Sequence, residues 1–142
     1  MIVTETTQLK ESRRILLGDD NVGDVELLEL AIASQGISIH VETLGEGDSV
    51  LLRLKELIAN PDRSIRLVIL DRRLPRRSAE EIMVALAEQR VIVKAPVLVF
   101  SSFVSDTERK RLYELGVTAV LEKPGDWHGY VRLASELDTL CC

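Results

Sequence analysis

Three short aliphatic runs constrain this chain more than any other feature. Ile15-Leu16-Leu17, Leu67-Val68-Ile69-Leu70 and Val97-Leu98-Val99-Phe100 are apolar without a break. A strand with one wet face alternates apolar and polar residues. An unbroken run belongs to a strand covered on both faces, as in a parallel sheet sandwiched by helices. The intervening segments have helical spacing. Asn21 to Gln35 carries Val25, Leu28 and Ile32, widened by Leu27 and Ala31, and Gly36 suits its C-terminal cap. Asp48 to Ala59 aligns Val50, Leu51, Leu54, Leu57 and Ile58 before the break at Asn60-Pro61-Asp62. Ser78 to Arg90 aligns Ala79, Ile82, Met83 and Leu86, and Ser78 with Glu81 spells a capping box. Asp106 to Leu115 reads as a highly charged helix stopped by Gly116, and Trp127, Tyr130, Val131, Ala134 and Leu137 form the stripe of a last helix. Two weaker strands complete the alternation, Ile37 to Val41 with period two and Ala119-Val120-Leu121. Strand and helix alternating five times predict an α/β fold, a single doubly wound five-stranded parallel sheet with right-handed crossovers. Residues 1–12 read as a polar tail and 13–142 as one domain.

The 142 residues suffice for one core without metal or disulfide staples, and with aromatics at only 4% that core is aliphatic. A net charge of -5 weighs against direct nucleic-acid binding, which rests on basic faces. No apolar run reaches the roughly 18 residues of a membrane helix. The two cysteines, Cys141 and Cys142, have no zinc or disulfide spacing and read as exposed thiols, open to intermolecular oxidation. A cysteine-free core and the lack of a signal peptide point to the cytoplasm.

In a doubly wound sheet, ligands bind beyond the carboxyl ends of the strands, near the point where strand order reverses. The apolar runs end in Asp19-Asp20, in Asp71 and in Ser101-Ser102, and the last strand leads to Lys123. Carboxylates brought to one spot repel each other, and a hard divalent cation such as Mg²⁺ relieves that repulsion through oxygen ligands. Asp71 could then stay ionised and attack phosphorus, with Lys123 neutralising phosphoryl charge and Ser101 donating a hydrogen bond. Taken singly, each residue has a plainer reading. Asp20 or Asn21 can cap the first helix, with Asp24 adding charge to its first turn. Ser101 or Ser102 can form a turn, and Lys123 can be a solvated surface residue. Four strands each ending in a suitable residue favour a common site.

At these residues the sequence resembles the response-regulator receiver family, over nearly the whole chain from Arg13 to about Leu140. Leu16-Leu17-Gly18-Asp19-Asp20-Asn21 is similar to the family's first strand with its acidic pair. Val68-Ile69-Leu70-Asp71-Arg72-Arg73-Leu74-Pro75 is similar to the phosphoacceptor segment. Pro96 to Ser102 and Lys123-Pro124 match the remaining two motifs. The resemblance implies a CheY-like, flavodoxin-type fold and a phosphoacceptor switch. Such a switch catalyses at most its own phosphorylation and dephosphorylation. It implies that Asp71 accepts phosphate from a sensor histidine kinase or phosphotransfer protein. It further implies that Asp19, Asp20, Asp71 and the Arg73 carbonyl hold Mg²⁺, and that Ser101 and Lys123 engage the phosphate. The added charge would then bias a surface around the fourth helix, fifth strand and fifth helix toward a downstream protein target. With no second domain in these residues, output is expected to pass through contacts of this domain, a homodimer among them. The wording from Asp20 to Leu28 is similar to stand-alone regulators, some of which serve bacteriophytochrome-type kinases.

Four positions depart from the family pattern. The switch position usually held by an aromatic is Val120, and a glycine usual after the phosphoacceptor loop is Ala79. Arg73 carries a long cationic side chain, and Phe103 stands two residues after Ser101, where it could shield an acyl phosphate. Arg72, Arg73, Arg76 and Arg77 form a basic run that is either a solvated loop or a lure for an acidic partner or phosphoryl donor. His128 reads as exposed and His40 as a half-exposed strand residue, neither with metal-site company. A pseudo-receiver, binding proteins without phosphorylation, is the competing reading. A haloacid-dehalogenase-type phosphohydrolase needs an acid where Arg73 stands. An FMN binder needs a Ser/Thr/Gly-rich phosphate loop where Asp19-Asp20-Asn21 stands.

Overall fold

The structure is a computed structural model and describes residues 13–90 and 92–142; the polar segment at 1–12 lies outside them. Strands and helices alternate as β1 (Arg14–Gly18), α1 (Val22–Ser34), β2 (His40–Leu44), α2 (Gly47–Ala59) and β3 (Ile65–Asp71). They continue as α3 (Ala79–Glu88), β4 (Val97–Ser101), α4 (Asp106–Glu114), β5 (Ala119–Glu122) and α5 (Trp127–Leu140). The strands pair in parallel in the order β2-β1-β3-β4-β5. Strand order therefore reverses between β1 and β3.

The sheet separates two aliphatic layers. Val68 and Leu70 of β3 face a cluster with Val50, Leu54, Ile82, Leu86 and Leu112 from α2, α3 and α4. Leu67 and Ile69 face the opposite cluster with Leu28, Ile32, Leu133 and Leu137 from α1 and α5. Both faces of β3 are buried, which is the physical reason its sequence does not alternate. Side-chain caps mark four of the five helix starts: Asn21 accepts from Asp24 N–H, Asp126 from Gly129 N–H, and Ser78 and Ser105 form capping boxes with Glu81 and Glu108.

Several boundaries differ from the sequence expectation. β2 begins at His40, not Ile37. Gly36 leaves α1 with a φ of 66° and Ile37 N–H still bonds back to Ile32 O, so pairing with β1 starts only at His40. Ile37 and Ile39 pack against the α1/α5 layer without strand pairing. Leu27 does not widen the buried stripe of α1, being 38% exposed. On α5 the buried stripe is Tyr130, Leu133, Ala134 and Leu137; Trp127, in the first turn, is exposed. Cys141 is not a surface thiol. It lies one turn beyond Leu137, continues that stripe and is buried, and burial pushes its thiol pKa up; Cys142 is exposed.

Candidate functional site

The sheet register assembles the site. Gly18 pairs with Leu70, so the next residues, Asp19 and Asp71, emerge side by side at the strand-order reversal. Asp71 pairs with Phe100 and Ser101 with Glu122, which brings Ser101 and then Lys123 to the same carboxyl edge. Lys123 Nζ lies 2.8 Å from Asp71 Oδ2, 2.7 Å from Asp24 Oδ2 and 3.1 Å from Asp19 Oδ2. Asp71 Oδ1 accepts from Arg73 N–H at 3.0 Å, and Asp19 Oδ1 accepts from Asn21 N–H at 2.9 Å.

Asp19 is buried and Asp20 exposed, yet Asp19, Asp20 and Asp71 each place one carboxylate oxygen within 4.8 Å of the others. Burial pushes the Asp19 carboxyl pKa up, and the Asp71 charge adds to that; the Asn21 amide and Lys123 pull the other way. Burial also opposes the Lys123 ammonium, but hydrogen bonds to Asp24, Asp71 and Asp19 outweigh it and hold its pKa above the ordinary lysine range. One ammonium faces four aspartates if Asp20 is included. An all-oxygen donor set with surplus negative charge fits a hard divalent cation such as Mg²⁺.

Ser101 is buried at the rim; its hydroxyl donates to the Phe103 carbonyl at 2.7 Å. The Phe103 side chain projects into solvent and is 71% exposed. Val120 is buried in the core at the expected switch position. Its backbone N–H donates to the Tyr113 hydroxyl and its carbonyl accepts from Arg109, both on α4. Ala79 opens α3 behind the Ser78 cap, and the positive φ in this loop falls on Arg76.

The arginine run is not a free basic patch. Arg76 pairs with Glu46, Arg77 with Asp48, and Arg72 with Glu80 and Glu108. Only Arg73 of the four has no ion pair among the described residues, and it is exposed beside the site. Asp24 is the site residue that sequence reasoning missed. Its position suggested a favourable charge in the first helical turn; its contact with Lys123 spans 99 residues and has no local signal.

Comparison with known proteins decides the family. No family model matches the chain. Against the probable methanogenesis regulatory protein FilR2 of Methanothrix harundinacea, it is 31% identical over 126 residues, covering 87% of this chain and 79% of that protein. The chain belongs to the response-regulator receiver family. The receiver is also 32% identical over 111 residues to a transcriptional regulatory protein CpxR homolog of Haemophilus influenzae, spanning 78% of this chain and 44% of that protein's length. Among solved structures, the phosphorylated cyanobacterial phytochrome response regulator RcpA superposes with a TM-score of 0.75 at 22% identity, covering 91% of this chain and 93% of that one. A response regulator in red light signaling of R. palustris gives 0.73 at 22% identity, covering 88% and 90%. The likeness to these structures is one of fold. Among the described residues no helix is long and apolar enough to cross a membrane.

Proposed function

We propose that this receiver is switched by phosphorylation of Asp71 within a two-component system. The observation that carries the reading is the Asp71 carboxylate, flanked by Asp19 and Asp20 and hydrogen-bonded to Lys123. An Asp71 oxygen attacks the phosphorus of a phosphohistidine on a sensor kinase or phosphotransfer protein. The new O–P bond forms as the P–N bond breaks, and the imidazole nitrogen leaves with the bonding pair and takes up a proton. Asp19, Asp20, Asp71 and the Arg73 carbonyl would hold Mg²⁺, which supplies charge neutralisation for the transferring phosphoryl oxygens. The backbone N–H of Arg73 orients Asp71 through Oδ1. Lys123 can turn from the carboxylates to a phosphoryl oxygen, and the Ser101 hydroxyl can leave the Phe103 carbonyl for another.

The complete set of Asp19, Asp20, Asp71, Ser101 and Lys123 supports a working receiver over a pseudo-receiver. In this reading it works in the cytoplasm, between a sensor kinase and a downstream protein. The wording from Asp20 to Leu28 supports a photoreceptor-type kinase as donor. Intact-mass spectrometry after incubation with acetyl phosphate tests the reaction. The expected result is a phosphate adduct that needs Mg²⁺ and is absent in Asp71→Asn. No adduct under conditions that label another receiver refutes it.

A further inference from the structure

The residue after the phosphoacceptor holds more of the molecule together than its place in a solvated loop requires. Arg72 is fixed at its backbone, donating to the Phe100 carbonyl of β4 at 2.8 Å and accepting from Ala79 N–H of α3 at 3.1 Å. Its side chain is mostly buried and reaches across to three partners. Nε and Nη2 contact the Glu80 carboxylate at 3.3 Å, Nη2 also pairs with Glu108 Oε2, and Nη1 donates to the Phe103 carbonyl at 3.4 Å.

Two of those partners already do something else. The Phe103 carbonyl is the acceptor of the Ser101 hydroxyl. Glu108 closes the capping box of α4, its Oε1 accepting from Ser105 N–H at 3.1 Å. One guanidinium therefore grips both ends of the segment between Ser101 and the first turn of α4. That helix has little apolar anchorage: of its nine residues only Leu112 is buried, and its other tethers are the hydrogen bonds of Arg109 and Tyr113 to the Val120 backbone. An element with few buried apolar contacts is placed by its polar tethers and moves when they change. The aromatic coupling residue expected at β5 is absent, because Val120 is aliphatic and buried.

We propose that Arg72 is a positioning residue, a latch that holds the 102–108 segment in the arrangement keeping the Ser101 hydroxyl on the Phe103 carbonyl, and that phosphorylation of Asp71 reaches α4 by opening it. This rests on the phosphorylation reading above. When Ser101 turns to a phosphoryl oxygen, the Phe103 carbonyl loses its shorter hydrogen bond and the segment is free to shift. The bonds from Arg72 to Glu108 and Phe103 oppose that shift, so they set how much of the resting population has already made it. By linkage, a variant that raises the open fraction raises apparent affinity for a phosphoryl group by the same factor.

The test compares the unchanged protein with Arg72→Ala, Arg72→Lys, Glu108→Gln and the Arg72→Ala/Glu108→Gln pair. Glu108→Gln removes the ion pair but keeps a side chain that serves in a capping box, so α4 still has its start. Two quantities are read: amide hydrogen exchange across 102–108 in the resting protein, and the affinity for beryllofluoride with Mg²⁺ as a phosphoryl mimic. Arg72→Ala is expected to speed exchange by about fivefold or more and to tighten beryllofluoride binding by a matching factor, as loss of a charge-assisted tether implies. Arg72→Lys, with charge but no fork, falls between. Glu108→Gln shifts both readouts the same way, and the double variant adds little to Arg72→Ala, because both substitutions break one contact.

Unchanged exchange in Arg72→Ala overturns the latch, and so does faster exchange with unchanged or weaker beryllofluoride binding. Independent addition of the two single effects overturns it as well. If the unchanged protein takes up no beryllofluoride, the phosphorylation reading fails, and with it the transmission; the exchange of Arg72→Ala still decides separately whether the tether exists.

Discussion

Replacing Lys123 by methionine keeps the side chain's length and removes the charge around which the site is arranged. The ammonium contacts Asp24, Asp71 and Asp19 at 2.7, 2.8 and 3.1 Å, and it and the three carboxylates are all less than a third exposed. Removing one member of a buried ionic cluster leaves uncompensated charge and costs about 3–5 kcal/mol. The repulsion uncovered has the same size: two carboxylate oxygens no more than 4.8 Å apart repel by about 3.5 kcal/mol at an effective dielectric of about 20. In chelator, Lys123→Met should therefore lose about 3–5 kcal/mol by urea unfolding. Saturating Mg²⁺ should at least halve that loss, since the cation supplies the missing positive charge. Below neutrality the variant in chelator should gain stability as pH falls. The Asp19 pKa is already raised by burial, so the folded variant binds a proton that the unfolded chain does not, and stability rises toward lower pH. An equal loss with chelator and with Mg²⁺ would refute the reasoning, because the carboxylates would then not share one cation site.

Two further predictions concern residues outside the acidic cluster. Glu42 on β2 accepts from Arg53 of α2 at 2.8 Å and from Arg14 of β1 at 2.6 Å, and these contacts, the Arg53 bond foremost, hold its pKa below the ordinary glutamate value. Its contribution is fully present above pH 4.5 and is lost as pH falls through its lower folded value, so Glu42→Gln should cost about 1–2 kcal/mol at neutral pH and nothing in strong acid, read by urea melts across pH. Gly47 sits where the β3–α3 loop crosses the start of α2; its N–H donates to Pro75 O at 2.9 Å, and a Cβ there would overlap the Arg77 carbonyl. Gly47→Ala should destabilise by about 3 kcal/mol in a thermal melt and slow Asp71 phosphorylation, because the loop that must give way starts at the phosphoacceptor.

Much of this protein was legible in its residues. Unbroken runs such as Leu67 to Leu70 announce strands buried on two faces, and the Ser78-to-Glu81 spacing announces a helix start, because burial and capping are local demands that residues i to i+4 must meet themselves. The acids and the lysine at the strand ends were legible once the sheet was inferred, since a parallel sheet brings every carboxyl end to one edge. Tertiary structure decided what depends on neighbours distant in sequence. Asp24 looked like a helix-terminus charge until α1 packed against α5 and Lys123, just past β5, reached it. The arginines after Asp71 looked like a basic patch until α2, α3 and α4 supplied their carboxylates. Cys141 looked like an exposed terminal thiol until α5 ran on far enough to bury it. A residue's pairing depends on which elements meet across the sheet, and that follows from the packing of the whole chain; a side chain's identity records only what it is able to do there.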